Sequence, residues 1–201
     1  PSAATLTTAT EVVGDIDAET LGPLRKANPE MQLVIPEANR EFVCERLACD
    51  RAWPVGLDAG AAVSIFGFLF DAVPAAHETI ERDEAGRCKF LGYVVRCGDW
   101  TLYHSGDTVR YEGMEDLLRP FNIDLAFLPI NGRSPERRVS GNLNGEEAAL
   151  LAHDAGVKCV FPCHYEMFEF NTEPPDRFIA ACDSLGQAYE VLKAGERLSI
   201  D

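Results

Sequence analysis

Between Trp100 and Thr108 an apolar strand pattern, Trp100-Thr101-Leu102-Tyr103, runs without a linker into His104-Ser105-Gly106-Asp107-Thr108. A short strand followed by a glycine turn fixes a carboxylate at a strand end, because glycine accepts the positive φ such a reversal needs. Two further segments have the same build. Val63 to Val73 reads as strand, with Gly67 as a bulge, and ends at Pro74-Ala75-Ala76-His77. Cys159 to Pro162 reads as a buried strand and ends at Cys163-His164-Tyr165. A chain with three such ends is built to bring strands to a rim whose loops carry chemistry.

The rest of the pattern fits layers of helix on sheet. Asp17 is placed to cap a helix from about Ala18 to Ala27, closed by Asn28-Pro29, and Gln32 to Ile35 reads as a short buried strand. A second helix is expected over Glu37–Ala48, with Phe42, Val43 and Leu47 on its apolar face. Glu78 to Arg87 is charged and expected to be a loop; Phe90 to Arg96 and Trp100 to Tyr103 form a hairpin across Cys97-Gly98-Asp99. A short helix over Met114–Leu118, a buried strand over Asp124–Ile130 and a loop over Asn131–Asn142 follow. Helices over Glu146–Ala155 and Asp176–Ser184 flank the Cys159 strand, and strands over Ala188–Leu192 and Arg197–Ile200 are expected to close the chain. Paired strands followed by strand–helix alternation predict an α/β protein layered as an αββα sandwich. With no repeat, linker or low-complexity tract, residues 1–201 are expected to form one domain. Pro1 is not a natural start, so residues before it are expected.

Composition narrows function by exclusion. A net charge of −15 leaves too little clustered Lys and Arg for a nucleic-acid partner. The longest apolar run, Ala61 to Phe70, is too short to cross a membrane. Seven cysteines, an odd number with no CxxC spacing, read as reduced core thiols of a cytoplasmic protein.

Imidazole and carboxylate donors at His77, Asp107 and His164 suit zinc, manganese or iron. Each segment by itself also reads as an ordinary turn, with Asp107 capping a backbone amide and His77 on the surface. His153 lies in the middle of a helical pattern and is structural. The loop Asn131-Gly132-Arg133-Ser134-Pro135-Glu136-Arg137-Arg138 concentrates three arginines, whose guanidinium forks suit a carboxylate or phosphate or pair with surface acids.

Taken in order, Pro74-Ala75-Ala76-His77, Tyr103-His104-Ser105-Gly106-Asp107 and Phe161-Pro162-Cys163-His164-Tyr165 resemble the metallo-β-lactamase fold, and within it the branch that contains L-ascorbate-6-phosphate lactonase. The resemblance covers nearly the whole chain. It implies the sandwich architecture, here lacking its first strands, and a metal-dependent hydrolase of a small anionic lactone or phosphoester. It places His77, Asp107 and His164 as ligands of zinc or manganese, with iron a further option, and Asp107 and His164 at the catalytic step. It puts Asn131, Arg133, Arg137 and Tyr165 near the substrate, His104 behind Asp107, and suggests assembly into a homo-oligomer. One departure stands out. The family's His-x-His-x-Asp-His motif precedes an Ile-Asp and a helix, matched here by Ile16-Asp17 and its sequel, yet upstream the chain reads Thr8-Ala9-Thr10-Glu11-Val12-Val13-Gly14-Asp15. Aligned without a gap or with two residues inserted, no motif position keeps a histidine, and of the residues at those positions only Asp15 could ligate. A second expectation therefore stands beside the first: a catalytically impaired relative that binds a ligand or partner.

Overall fold

The computed structural model describes residues 4–6, 16–133, 141–166, 172–193 and 195–199. Two sheets face each other. The first has three parallel strands in the order β1 (Ala4–Leu6), β2 (Gln32–Pro36) and β3 (Pro54–Leu57). The second has six: β4 (Ala62–Ile65), β5 (Phe68–Pro74), β6 (Leu91–Cys97), β7 (Trp100–His104), β8 (Leu125–Pro129) and β9 (Cys159–Cys163), in sequence order. Pairing is antiparallel from β4 to β7 and parallel from β7 to β9. Strands β5, β7, β8 and β9 consequently point the same way, and their C-terminal ends share one edge.

The alternation of side chains along each strand builds three apolar layers. On β2, Leu33 and Ile35 turn toward Val43 and Phe42 of α2 (Arg40–Leu47), while Val34 turns the other way. Val34 and Leu57 meet Phe70, Ala72, Leu91 and Tyr93 of the second sheet, which closes the seam between sheets. The opposite face of the second sheet, through Val73, Val94, Tyr103, Ala126 and Val160, packs under α3 (Met114–Leu118), α4 (Gly145–Ala155) and α5 (Asp176–Leu185). Helix α1 (Ala18–Ala27) begins at Asp17, whose carboxylate accepts the Glu19 and Thr20 N–H groups at 3.1 and 2.9 Å. The layering is helix, sheet, sheet, helix.

Several expectations are corrected. Val63 to Val73 is two strands, because Phe66 and Gly67 both adopt positive φ (51° and 86°) and reverse the chain, pairing Ile65 with Phe68. Two successive left-handed residues make a hairpin turn, where a bulge would need only one. The segment Glu37–Asn39 is a 3-10 turn ahead of α2. Strands β1 and β3 were unforeseen. Near the C-terminus the expected strand over 188–192 is a single bridge, Tyr189 opposite Val160, with the Val160 N–H donating to Ala188 O and the Glu190 N–H to Val160 O; 195–199 form no strand, and residue 200 lies outside the described residues.

Candidate functional site

The shared strand direction explains how His77, Asp107 and His164 meet. Each lies just past the C-terminal end of β5, β7 or β9, the edge at which ligands bind in open sheets. His164 Nε2 stands 3.0 Å from Asp107 Oδ1, and His77 Nε2 stands 3.9 Å from Asp107 Oδ2. The carboxylate is thus flanked on both oxygens by imidazoles from separate strand ends. Burial pushes the Asp107 carboxyl up, but the His164 hydrogen bond, the charges of His164 and His77, and a hydrogen bond from Asn142 outweigh it. The net effect holds Asp107 below its ordinary value, ionised at neutral pH.

Its surroundings are fixed by backbone bonds. Gly106 takes φ 63°, and its N–H donates to His104 Nδ1 at 3.0 Å. That bond places the proton of a neutral His104 ring on Nε2, and burial, with His164 adding to it, keeps the ring's pKa low against the pull of Asp107. Thr108 knits two loops together: its Oγ1 accepts the Ala76 N–H at 2.9 Å, and its N–H donates to Asn142 Oδ1 at 3.0 Å. The Val109 N–H donates to Ala76 O at 2.7 Å, so the loop bearing His77 is bonded to the one bearing Asp107. Gly141 has φ 77°, and a Cβ there would lie 1.8 Å from His77 O. His77 also stacks on Phe90, with ring centroids 5.7 Å apart. His164 itself is left-handed, at φ 58°, a conformation that costs a non-glycine residue about 1 kcal/mol or more.

Asn142, Thr108 and Gly141 support the site and were missed in the sequence. The one available signal was the run Ser140-Gly141-Asn142, a glycine beside an amide, which marks a tight turn but names no partner.

The remaining candidates are dispersed around this centre. Asn131 is buried and bridges to Asn144, and Ile130 N–H donates to Cys163 O at 3.0 Å, which ties the loop to the end of β9. Arg133 binds Glu147 through two hydrogen bonds of 2.7 and 2.9 Å and reaches Asn142 O at 3.3 Å. Asn131, Arg133, Asn144, Glu173 and Arg177 line a cavity of about 280 Å³ that does not include His77, Asp107 or His164. The Tyr165 hydroxyl donates to Leu192 O. His153 is exposed and lies 3.3 Å from Asp154. Asp15 and Arg137 lie outside the described residues.

Two imidazoles and an ionised carboxylate are the donor types that zinc, manganese and iron take. Their arrangement is pairwise, both histidines on Asp107. Among the described residues no group of three or more His, Cys, Asp or Glu side chains is assembled to hold a metal ion. The donor chemistry fits such an ion; the described side chains do not by themselves complete its site. Burial and the negative charge of Asp107 push the Cys163 thiol up to about 11.

A sheet pair between helices, with histidines and an aspartate gathered at strand ends, defines the metallo-β-lactamase class of α/β protein. Residues 14–165 match the Beta-lactamase superfamily domain, and the chain belongs to that family. A "UPF0173 metal-dependent hydrolase" from Methanoregula boonei is 30% identical over 149 residues, covering 72% of this chain and 64% of that protein. The chain thus spans just under two thirds of that relative's length. Among solved structures, Igni18, a metallo hydrolase from Ignicoccus hospitalis, superposes with a TM-score of 0.77 at 18% identity, covering 98% of this chain and 79% of that one. CmlA, a diiron beta-hydroxylase from Streptomyces venezuelae, superposes with a TM-score of 0.68 at 16% identity, covering 94% and 43%. At those identities the two structures show a common fold. Among the described residues no helix is long and apolar enough to cross a membrane.

Proposed function

We propose that this protein is a metal-dependent hydrolase that opens a lactone or phosphoester in a small anionic molecule. The observation that carries the reading is Asp107, ionised and flanked by His77 and His164 from two other strand ends. Family membership supports it, as does the metal-dependent hydrolase name of the Methanoregula boonei relative. His77, Asp107 and His164 would hold the ion, with Asp15 as a further donor. When bound, an ion of this kind supplies a water that is nucleophilic near neutral pH.

The other roles fall to the chain's own groups. Asn142 orients the Asp107 carboxylate, and His104 offers its Nε2–H as a neutral donor beside it. The cavity lined by Asn131, Arg133 and Arg177 would receive the anionic part of the substrate. Arg177 is the better anchor of the two lining arginines. Its Nε lies 3.7 Å from Glu146, whereas the Arg133 fork is already engaged by Glu147.

Elemental analysis of the purified protein tests the reading, with turnover of bis(p-nitrophenyl) phosphate and of a γ-lactone. Stoichiometric zinc, manganese or iron is expected. Metal affinity should fall in His164→Ala by more than the roughly 10–100-fold that loss of a supporting residue costs, and the metal content with it. Protein without such an ion would overturn the metal assignment. The second reading, an impaired relative that binds a ligand or partner, is favoured by the absence of histidine from Thr8 to Asp15. Turnover that disappears in Asp107→Ala would eliminate it.

A further inference from the structure

Helix α2 ends at Leu47 because Ala48 turns left-handed, at φ 47° and ψ 47°. The chain then folds back on the helix. Cys49 N–H donates to Cys44 O at 3.1 Å, and Ala48 N–H donates to Glu45 O at 3.3 Å. This pair of bonds is the Schellman closure, which presses the side chain two residues past the helix end against one in its last turn. Two apolar side chains ordinarily meet there. Here both are cysteine, and the Cys49 thiol is near enough to help burial push the Cys44 thiol up. Cys44 is buried, Cys49 is partly exposed, and neither is in a disulfide. An N–H···O=C bond linking the two residues keeps their Cα atoms within about 7 Å, the outer limit for bridging cysteines.

We propose that Cys44 and Cys49 form a redox-modifiable dithiol that closes to an intramolecular disulfide across the α2 C-terminus. The oxidant is a small-molecule disulfide of the glutathione class. Cys49, the accessible thiol, loses its proton and attacks one oxidant sulfur; the other sulfur leaves and is protonated to a thiol. Cys44 then gives up its proton and attacks the Cys49 sulfur, and the second oxidant sulfur leaves as a thiol. Two protein thiols are oxidised to one disulfide, and one oxidant disulfide is reduced to two thiols. The order follows from exposure, since Cys44 is shielded by the helix and by Cys49 itself. The bond would pin the helix that carries Arg40, whose guanidinium holds Glu37 and the backbone oxygens of Arg51 and Pro54 at the entry to β3. None of this depends on the hydrolase reading.

Peptide mapping decides the matter. The full chain is incubated with oxidised glutathione, alkylated and cut with trypsin, which cleaves after Arg40, Arg46 and Arg51. The expected product is Glu41–Arg46 joined to Leu47–Arg51 by a bond that dithiothreitol releases. The link should be absent in Cys49→Ser and retained in Cys97→Ser, with both variants showing the far-ultraviolet circular dichroism of the parent. Recovery of both peptides alkylated, of Cys49 bearing glutathione beside an alkylated Cys44, or of Cys44 linked to another cysteine would each overturn the proposal.

Discussion

Asp107 is held ionised by neighbours that lie far away in the chain, and the support is as specific as the contacts themselves. Asn142, 34 residues from Thr108, accepts the Thr108 N–H and also hydrogen-bonds to Asp107. Asn142→Ala removes the bond to Thr108 and, with it, the smallest of the influences that hold Asp107 ionised. It is expected to weaken metal uptake by about 10–100-fold, as loss of a group that orients a ligand typically does, and isothermal titration with zinc or manganese would show it. Gly141→Ala should do more damage than its size suggests. Its Cβ would collide with the His77 carbonyl, and its φ of 77° disfavours any side chain. The expected outcome is a lowered unfolding midpoint together with a displaced His77 resonance in the NMR spectrum. Asp107, His77 and His164 were legible in the sequence because their chemistry and their strand-end settings are local. Asn142 and Gly141 were not, since nothing in Ser140-Gly141-Asn142 says which distant turn it will touch.

At the scale of elements, helix boundaries were readable where a side chain caps the backbone and strands were not where pairing decides. Helix α4 begins at Asn144, whose side chain accepts the Glu147 N–H at 2.9 Å while Glu147 returns a bond to the Asn144 N–H at 3.0 Å. Asn144→Ala should cost about 1 kcal/mol. The loss should appear as a reduced urea midpoint with an unchanged slope. Because Glu147 also grips Arg133, the same change should loosen the loop that lines the cavity beside Asn131 and Arg177. Strand β3 escaped notice because Pro54-Val55-Gly56-Leu57 carries little strand propensity; it exists because β2 offers it a parallel edge. The hairpin at Phe66-Gly67 was hidden by Phe66, an aromatic that rarely accepts positive φ. The expected strand over 188–192 failed for the converse reason: its pairing with β9 stops at one bridge, Tyr189 opposite Val160, closed by the Ala188 O and Glu190 N–H bonds to Val160.

For the molecule as a whole, one acid fastens three neighbouring strands, two of which, β7 and β9, end at the site. Asp124 accepts the Thr101 N–H at 2.7 Å and Lys158 Nζ at 2.6 Å, while its own backbone bonds Thr101 O and the Cys159 N–H, so it ties β7, β8 and β9 together. Burial pushes its carboxyl up, but the Lys158 and Thr101 bonds outweigh that and leave it below its ordinary value of 3.8. A folded value below the unfolded one means stability that is present above the unfolded value and lost as pH falls through the folded one. Asp124→Asn should therefore lower stability at pH 7 by about 2 kcal/mol, the scale of a hydrogen bond to a charged group. In urea titrations the gap from the parent should narrow once the pH drops below 3.8. By itself the sequence determined the layered α/β class and the three strand-end donors, because side-chain periodicity and turn chemistry act over a few residues. Only the tertiary structure decided that β5, β7 and β9 point the same way, and with that direction that His77 and His164 reach Asp107. Strand direction is set by pairing between segments dozens of residues apart, and no local pattern encodes it.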